Sequence, residues 1–344
     1  MHRTRCAIVS FRLGMADGVS VVAASWQRAL QELGFDVVTV AGEGPVDRRV
    51  RGLAIDDHEP PNTADLAAAL ADAELVVVEN LLTIPMRLEA SRVVADQLRG
   101  RPTLLHHHDP PWQRDRYAHI TELPPDDPAW RHVTINDLTR RQMAERGIEA
   151  VTIYNGFDTN PSAGDRDSTR ALLGLDDATL LVAHPVRAIA RKNIPAALEM
   201  TAALGGTYWL LGRAEEGYDA ELARVLDAAA CPWIHRSHAP IEDVYAAADL
   251  IAFPSTWEGF GNPPIEAALH RRAVAVGPYP VGAELAALGF DWFAADDIGA
   301  IAGFLSDPDP ALLERNRSLA EEHFSYQRVL ELLATELEQA GWLP

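Results

Sequence analysis

Two glutamates, Glu258 and Glu266, flank a bend in Pro254-Ser255-Thr256-Trp257-Glu258-Gly259-Phe260-Gly261-Asn262-Pro263-Pro264-Ile265-Glu266. Glycines at a bend allow backbone angles that other residues resist, and they bring no side chain to hold a ligand away. Asn262 is a good helix N-cap, and prolines in a first helical turn delete only N–H groups that lack an intrahelical partner. The remaining donors near Gly261 to Ile265 face the incoming chain at the positive end of a helix dipole, a site for a phosphate-sized anion. Two carboxylates beside such a nest can hold a polyhydroxylated phosphoester by several contacts at once. The plainer reading is a strand–turn–helix with two surface glutamates.

Three further loops carry residues able to do chemistry. Arg187 and Lys192 lie five apart in Pro185-Val186-Arg187-Ala188-Ile189-Ala190-Arg191-Lys192-Asn193. Cations fixed there would stabilise the charge on a departing diphosphate without a metal. Arg offers a planar fork and Lys a compact point charge, although a solvated basic loop is also open. Lys192 is the only lysine among 30 basic residues, in a chain that otherwise uses arginine. The run His106-His107-His108-Asp109 invites a metal reading. Consecutive strand residues point to alternate faces, so only His106 and His108 converge, and a metal would need ligands from elsewhere. A polar strand end without a ligand is the alternative. In Asp17-Gly18-Val19-Ser20 the glycine leaves room beside the backbone, and a helix cap is the plain reading.

These loops are positioned by alternating strands and helices. Arg5 to Ser10 reads as a strand, and Val19, Val22, Ala23, Trp26, Ala29, Leu30 and Leu33 recur at helical spacing before the strand Asp36 to Val40. Glu74 to Glu79, Thr103 to His108, His132 to Ile135 and Val151 to Tyr154 continue the pattern, with helices Pro85 to Leu98 and Leu138 to Arg146 between them. Thr179 to His184, Thr207 to Leu211, Trp233 to His235, Asp249 to Phe253 and Ala273 to Val276 read as a second set of strands. Asn193 is placed to cap a helix through Leu198 to Leu204, and the glutamate bend runs into a helix over Pro263 to His270. Strands alternating with helices predict an α/β fold with doubly wound parallel sheets, each binding ligands at strand C-terminal ends. No G-x-G-x-x-G follows the first strand, and no Walker A sequence occurs. A chain of 344 residues predicts two domains. They are read as 1–158 and 169–324, with a polar linker at 159–168 and a C-terminal helix at 325–344.

The bend resembles the signature of retaining glycosyltransferases of family four, which have the GT-B fold: a Glu, seven residues and a second Glu. The Arg187/Lys192 loop has the family's spacing, and Asn155-Gly156-Phe157-Asp158 resembles the run that leaves its first domain. Gly277-Pro278-Tyr279-Pro280-Val281-Gly282-Ala283-Glu284 is similar to a Gly-and-Glu loop found there. The resemblance implies two facing Rossmann-like domains, the second holding a nucleotide sugar and the first an acceptor, with the last helix crossing back to the first. It implies that Glu258 contacts donor hydroxyls and Glu266 the ribose, with Gly259, Phe260, Gly261 and Asn262 against the donor. Arg187 and Lys192 then hold the leaving diphosphate. His108, matching a His-Asp at the end of the family's corresponding strand, donates a hydrogen bond to the donor sugar. Gly18 approaches the donor phosphate, and Asp17 and Asp109 face the acceptor.

Composition narrows the partners. A net charge of −20 argues against nucleic acid, and no apolar run reaches the ~20 residues of a membrane span. Cys6 and Cys231 are too few for a disulfide framework, and the N-terminus leads into a strand without signal-peptide architecture, which favours a cytoplasmic enzyme. The expected activity is transfer of a hexosyl unit from a nucleotide diphosphate sugar to a small polar or glycan acceptor, without cofactor or metal. A nucleotide-sugar epimerase of similar fold and a non-catalytic nucleotide-sugar binder are the rival readings.

Overall fold

The structure, a computed structural model, describes residues 4–15, 17–236 and 240–344. Two compact units form: Met1–Gly156 with Tyr326–Pro344, and Phe157–Ser325.

In the first unit seven strands, β1 (Arg5–Arg12), β2 (Asp36–Glu43), β3 (Arg48–Arg49), β4 (Leu75–Glu79), β5 (Thr103–His107), β6 (Trp130–Thr134) and β7 (Val151–Thr152), pair in the order β3-β2-β1-β4-β5-β6-β7. Every pairing is parallel. The order reverses between β1 and β4, which makes that gap the switch point of a doubly wound sheet. Both faces are covered, and the apolar strand runs follow from this. Leu75 and Val77 join one core cluster, Val76 and Val78 the other. Helix Gly18–Glu32 buries Val22, Ala23, Trp26, Ala29 and Leu30 against one face. Helix Tyr326–Ala340 adds Val329, Leu333 and Leu337 to the same cluster, so the last helix completes the first unit's core.

The second unit has six strands: β8 (Leu181–His184), β9 (Thr207–Leu210), β10 (Trp233–His235), β11 (Leu250–Phe253), β12 (Ala273–Val276) and β13 (Phe293–Ala294). They pair in the order β10-β9-β8-β11-β12-β13, all parallel. The order reverses between β8 and β11, and that gap is where the second unit should take a ligand.

Several local expectations change. Helix Arg166–Leu173 begins inside the stretch read as a linker, because Asp165 accepts from Ser168 N and Arg166 and Arg170 bond carbonyls near Ala247 and the Asp249 carboxylate. The stretch Gly277 to Glu284, read as a loop, turns helical at Pro280–Ala286; Pro280 fits a first turn, and Gly282 admits the Tyr279 ring, 2.8 Å from where a Cβ would sit. Asn262 is the first residue of helix Asn262–Leu269, and Gly261 takes the cap position at φ 105°. Asn193 stands at the N-cap of helix Ile194–Ala203 as expected, but in a left-handed conformation and without a side-chain capping bond; its side chain donates to Pro254 O at 3.3 Å. Helix Thr63–Ala69 and the short strands β3 and β13 carry no sequence signal strong enough to be read alone.

Candidate functional site

At the second unit's switch point the loops after β8 and β11 are stapled together. Thr256 N donates to Arg191 O at 2.9 Å, and the Asn193 side chain holds Pro254 O. A short 3-10 turn, Ala190–Lys192, then aims two neighbouring cations at one carboxylate. Lys192 Nζ donates to Glu258 Oε1 at 2.5 Å, and Arg191 Nη1 donates to Glu258 Oε2 at 2.6 Å and to Trp257 O at 3.0 Å. Lys192 and Glu258 are 8% and 6% exposed, so the pair interacts with little screening by water. Burial pushes the Glu258 carboxyl up, but Lys192 and Arg191 outweigh it and hold it below the usual carboxylate range. Burial pulls Lys192 down to about 8, with Glu258 opposing the shift and Arg191 adding to it.

The sequence paired Lys192 with Arg187, and the structure pairs it with Glu258 and Arg191 instead. Arg187 binds Glu215 at 2.7 Å and reaches Lys192 only through its field. Arg191 is thus the residue that spacing missed. Its adjacency to Lys192 was visible, but only the turn geometry shows both side chains reaching the same carboxylate.

Helix Asn262–Leu269 continues the site. Gly261 is required there, since a Cβ would lie 2.2 Å from Tyr279 Oη, which donates to Phe260 O at 3.2 Å. The Phe260 ring packs beside Phe157 and Phe324 in the core. Glu266, half-buried in the helix, accepts from Tyr245 Oη at 2.6 Å. Burial raises its carboxyl, and the tyrosine bond partly offsets that. Tyr245 in turn stacks on His270, with ring centroids 4.7 Å apart.

The first unit builds a second cluster beside its own switch point. Glu79 ends β4 in register with His106 of β5. His106 and His108, two apart, share a face as expected, and both reach Glu79. His107 points the other way into a chain: Thr83 Oγ1 at 2.7 Å, His132 Nδ1 at 2.9 Å, and from His132 to Asp126 at 3.0 Å. Burial lowers His107 well below the ordinary histidine range and lowers His132 also, with Asp126 opposing the shift of His132. Asp109 turns away to Arg114 and accepts from Asn80 Nδ2. The ligand atoms of Glu79, His106 and His108 lie within 4.8 Å of one another, a donor set that suits zinc, so the group able to hold a metal includes Glu79 in place of Asp109.

Asp17 caps helix Gly18–Glu32 by accepting from Val19 N and Ser20 N, and it pairs with Arg12 at 3.1 Å. Among the described residues, chain neighbours aside, no heavy atom lies within 4 Å of a Cβ built on Gly18, so they leave space beside that backbone.

No protein-family profile matches the chain. It is 23% identical, over 97% of its length and 99% of the relative's, to the mannosylglucosylglycerate synthase of Thermotoga maritima. Among solved structures, HepE of Anabaena in complex with UDP-glucose superposes with a TM-score of 0.76 at 18% identity, covering 97% of this chain and 99% of that one. Sucrose-phosphate synthase from Thermosynechococcus elongatus has a TM-score of 0.76 at 15% identity, covering 98% and 99%. The likeness thus runs through both units, and its two-sheet GT-B architecture agrees with the one read from the sequence.

Proposed function

We propose that this chain, a glycosyltransferase of the GT-B fold similar to those of family four, moves a hexosyl unit from a nucleotide diphosphate sugar to a small polar or glycan acceptor, with retained configuration and no metal. The observation that carries this reading is the Arg191–Lys192–Glu258 cluster at the second unit's switch point, followed at once by the helix that bears Glu266. The cations supply fixed positive charge for a leaving diphosphate, and Glu266 offers a carboxylate to the ribose. UDP-glucose is bound by HepE, which supports a nucleoside diphosphate sugar as donor. The named product of the Thermotoga maritima relative contains glycerate, a small carboxylate-bearing unit, which supports a small polar acceptor.

Retention by double displacement needs an available carboxylate nucleophile. Glu258 is engaged by two cations and Glu79 by two imidazoles, which favours a same-face route. There the departing phosphate takes the acceptor's proton while Lys192, Arg191 and Arg187 stabilise its charge. His108 holds a substrate hydroxyl rather than attacking carbon. Asp17, Gly18 and Asp109 are proposed to line the approach of phosphate and acceptor, and Gly259 to Asn262 the donor.

The test is incubation with a panel of nucleotide sugars, with and without acceptors. Acceptor-dependent release of nucleoside diphosphate, with the product's anomeric configuration read by NMR, is the expected result. Formation of an epimeric nucleotide sugar without acceptor, or binding without turnover, would overturn it in favour of an epimerase or a binder.

A further inference from the structure

We propose that Glu79 is the positioning residue for His108, fixing its proton on Nε2 so that Nδ1 accepts a hydrogen bond from a substrate hydroxyl. The identity of that hydroxyl rests on the transfer reading above; the placement of the proton does not.

The argument starts from burial. Glu79 is fully buried at the end of β4, and a carboxylate withdrawn from water needs donors around it. Among the described residues its oxygens meet two: His106 Nδ1 at 3.0 Å and His108 Nε2 at 3.1 Å, both on Oε2, with His106 Nδ1 also 3.1 Å from Oε1. An ionised carboxylate only accepts, so both ring nitrogens facing it must carry hydrogen.

A neutral imidazole has one N–H and one lone pair, so placing the first places the second. His106 then has a bare Nε2, and that atom is buried with no hydrogen-bond partner among the described residues, its ring stacked 4.0 Å from Trp26. His106 is therefore spent on structure: it satisfies Glu79 and packs. His108 has a bare Nδ1, for which no described residue supplies a hydrogen bond. Its backbone N–H is held by Asn80 Oδ1 at 3.1 Å, and its ring meets His106 edge-on at 4.7 Å, so the ring has little freedom to turn. A fixed lone pair recognises an O–H. The hydrogen bond thus runs from the substrate to His108, the reverse of the direction expected from sequence.

Long-range proton–nitrogen NMR on the full chain labelled in histidine reads the tautomer directly. Unliganded wild type at neutral pH should show His108 protonated at Nε2 and His106 at Nδ1. Glu79→Leu removes both acceptor oxygens, so nothing then holds the His108 proton on Nε2. Both His108 tautomers should then be populated, and turnover should fall at least about tenfold at unchanged nucleoside diphosphate affinity. A wild-type His108 protonated at Nδ1 overturns the proposal. So does a Glu79→Leu variant that melts earlier but keeps the tautomer and the turnover, or a metal ion found bound to His108 Nε2. If no nucleotide sugar is turned over, the transfer reading falls while the wild-type spectrum still decides where the proton sits.

Discussion

Lys192 Nζ meets Glu258 Oε1 at 2.5 Å, and the two side chains shield each other from water. The family resemblance implied opposite ends of a donor for them, phosphate for Lys192 and sugar for Glu258. In the fold they are one pair with Arg191 as a third member, so a change at one residue alters the charge state of the others.

Glu258→Ala removes the carboxylate from two cations that remain largely buried. Breaking such a pair from one side costs roughly 3–5 kcal/mol. A lower unfolding midpoint is therefore expected together with loss of most turnover, while nucleoside diphosphate still binds. Glu258→Gln should recover part of the stability without recovering turnover. Calorimetric binding and thermal melts on both variants separate these effects. A Glu258→Gln enzyme with normal turnover would show that the carboxylate's charge has no part in catalysis.

The strands were legible because parallel strands buried on both faces leave contiguous apolar runs, as Leu75 to Val78 does. The glutamate bend was legible because its glycines and prolines sit at fixed offsets. The Glu79 cluster was not, since Glu79 and His106 are 27 residues apart and meet only through the register of β4 with β5. Tyr245 was hidden for the same reason: it reaches Glu266 across 21 residues. Arg191 and Arg187 could not be ranked, because their directions depend on the 3-10 turn and on the left-handed Asn193 that follows it. Helix Pro280–Ala286 was masked by Gly282, a residue that local propensity counts against a helix and that the Tyr279 ring requires.

Glu266→Ala should weaken nucleoside diphosphate binding more than it slows saturated turnover, the reverse of Glu258→Ala. Tyr245→Phe removes one hydrogen bond to the same carboxylate, worth about 1 kcal/mol, and leaves the ring stacked on His270. That bond lowers a carboxyl that burial raises, so its loss moves Glu266 further up. Titration calorimetry should show a several-fold loss of affinity in Tyr245→Phe, smaller than in Glu266→Ala. Equal affinities in Tyr245→Phe and wild type would remove Tyr245 from the donor site.

On the proposed route, where Arg191, Lys192 and Arg187 provide the positive charge that a metal would, transfer should run at full rate in the presence of a strong chelator. A rate lost to chelator and restored by zinc would place a metal on Glu79, His106 and His108, the cluster with the needed donors.

Stability should fall in two stages on acidification. His106, His107, His132 and His184 all have folded-state values lowered by burial. The unfolded chain therefore binds more protons than the folded one as pH drops below 6.5, and stability declines with it. Glu79 is held down to about 2, by its imidazoles against burial. Its contribution is fully present above the unfolded value of 4.5 and is lost between there and about 2. Urea unfolding at a series of pH values should show the second stage flattened in Glu79→Gln. A curve parallel to wild type below pH 4.5 would show that Glu79 does not carry that stage.

Lys192 offers a direct report on the proposed donor site, since it is the only lysine in the sequence and an amine-reactive reagent has otherwise just the α-amino group to attack. Burial pulls Lys192 down to about 8, so its neutral, nucleophilic form is populated at mildly alkaline pH despite Glu258. A bound nucleoside diphosphate would cover the side chain, and its negative charge would favour the ammonium form, which does not react. Peptide mapping after labelling should then show protection at Lys192 by a saturating nucleotide sugar, with unchanged reaction at the α-amino group. Acylation removes the cation beside Glu258, so the fully labelled enzyme should lose transfer. In Glu258→Gln the opposing carboxylate is gone, and the labelling midpoint of Lys192 should move to lower pH, the direction set by burial and by Arg191. Equal labelling with and without nucleotide sugar, or normal turnover by the labelled enzyme, would place the leaving diphosphate elsewhere.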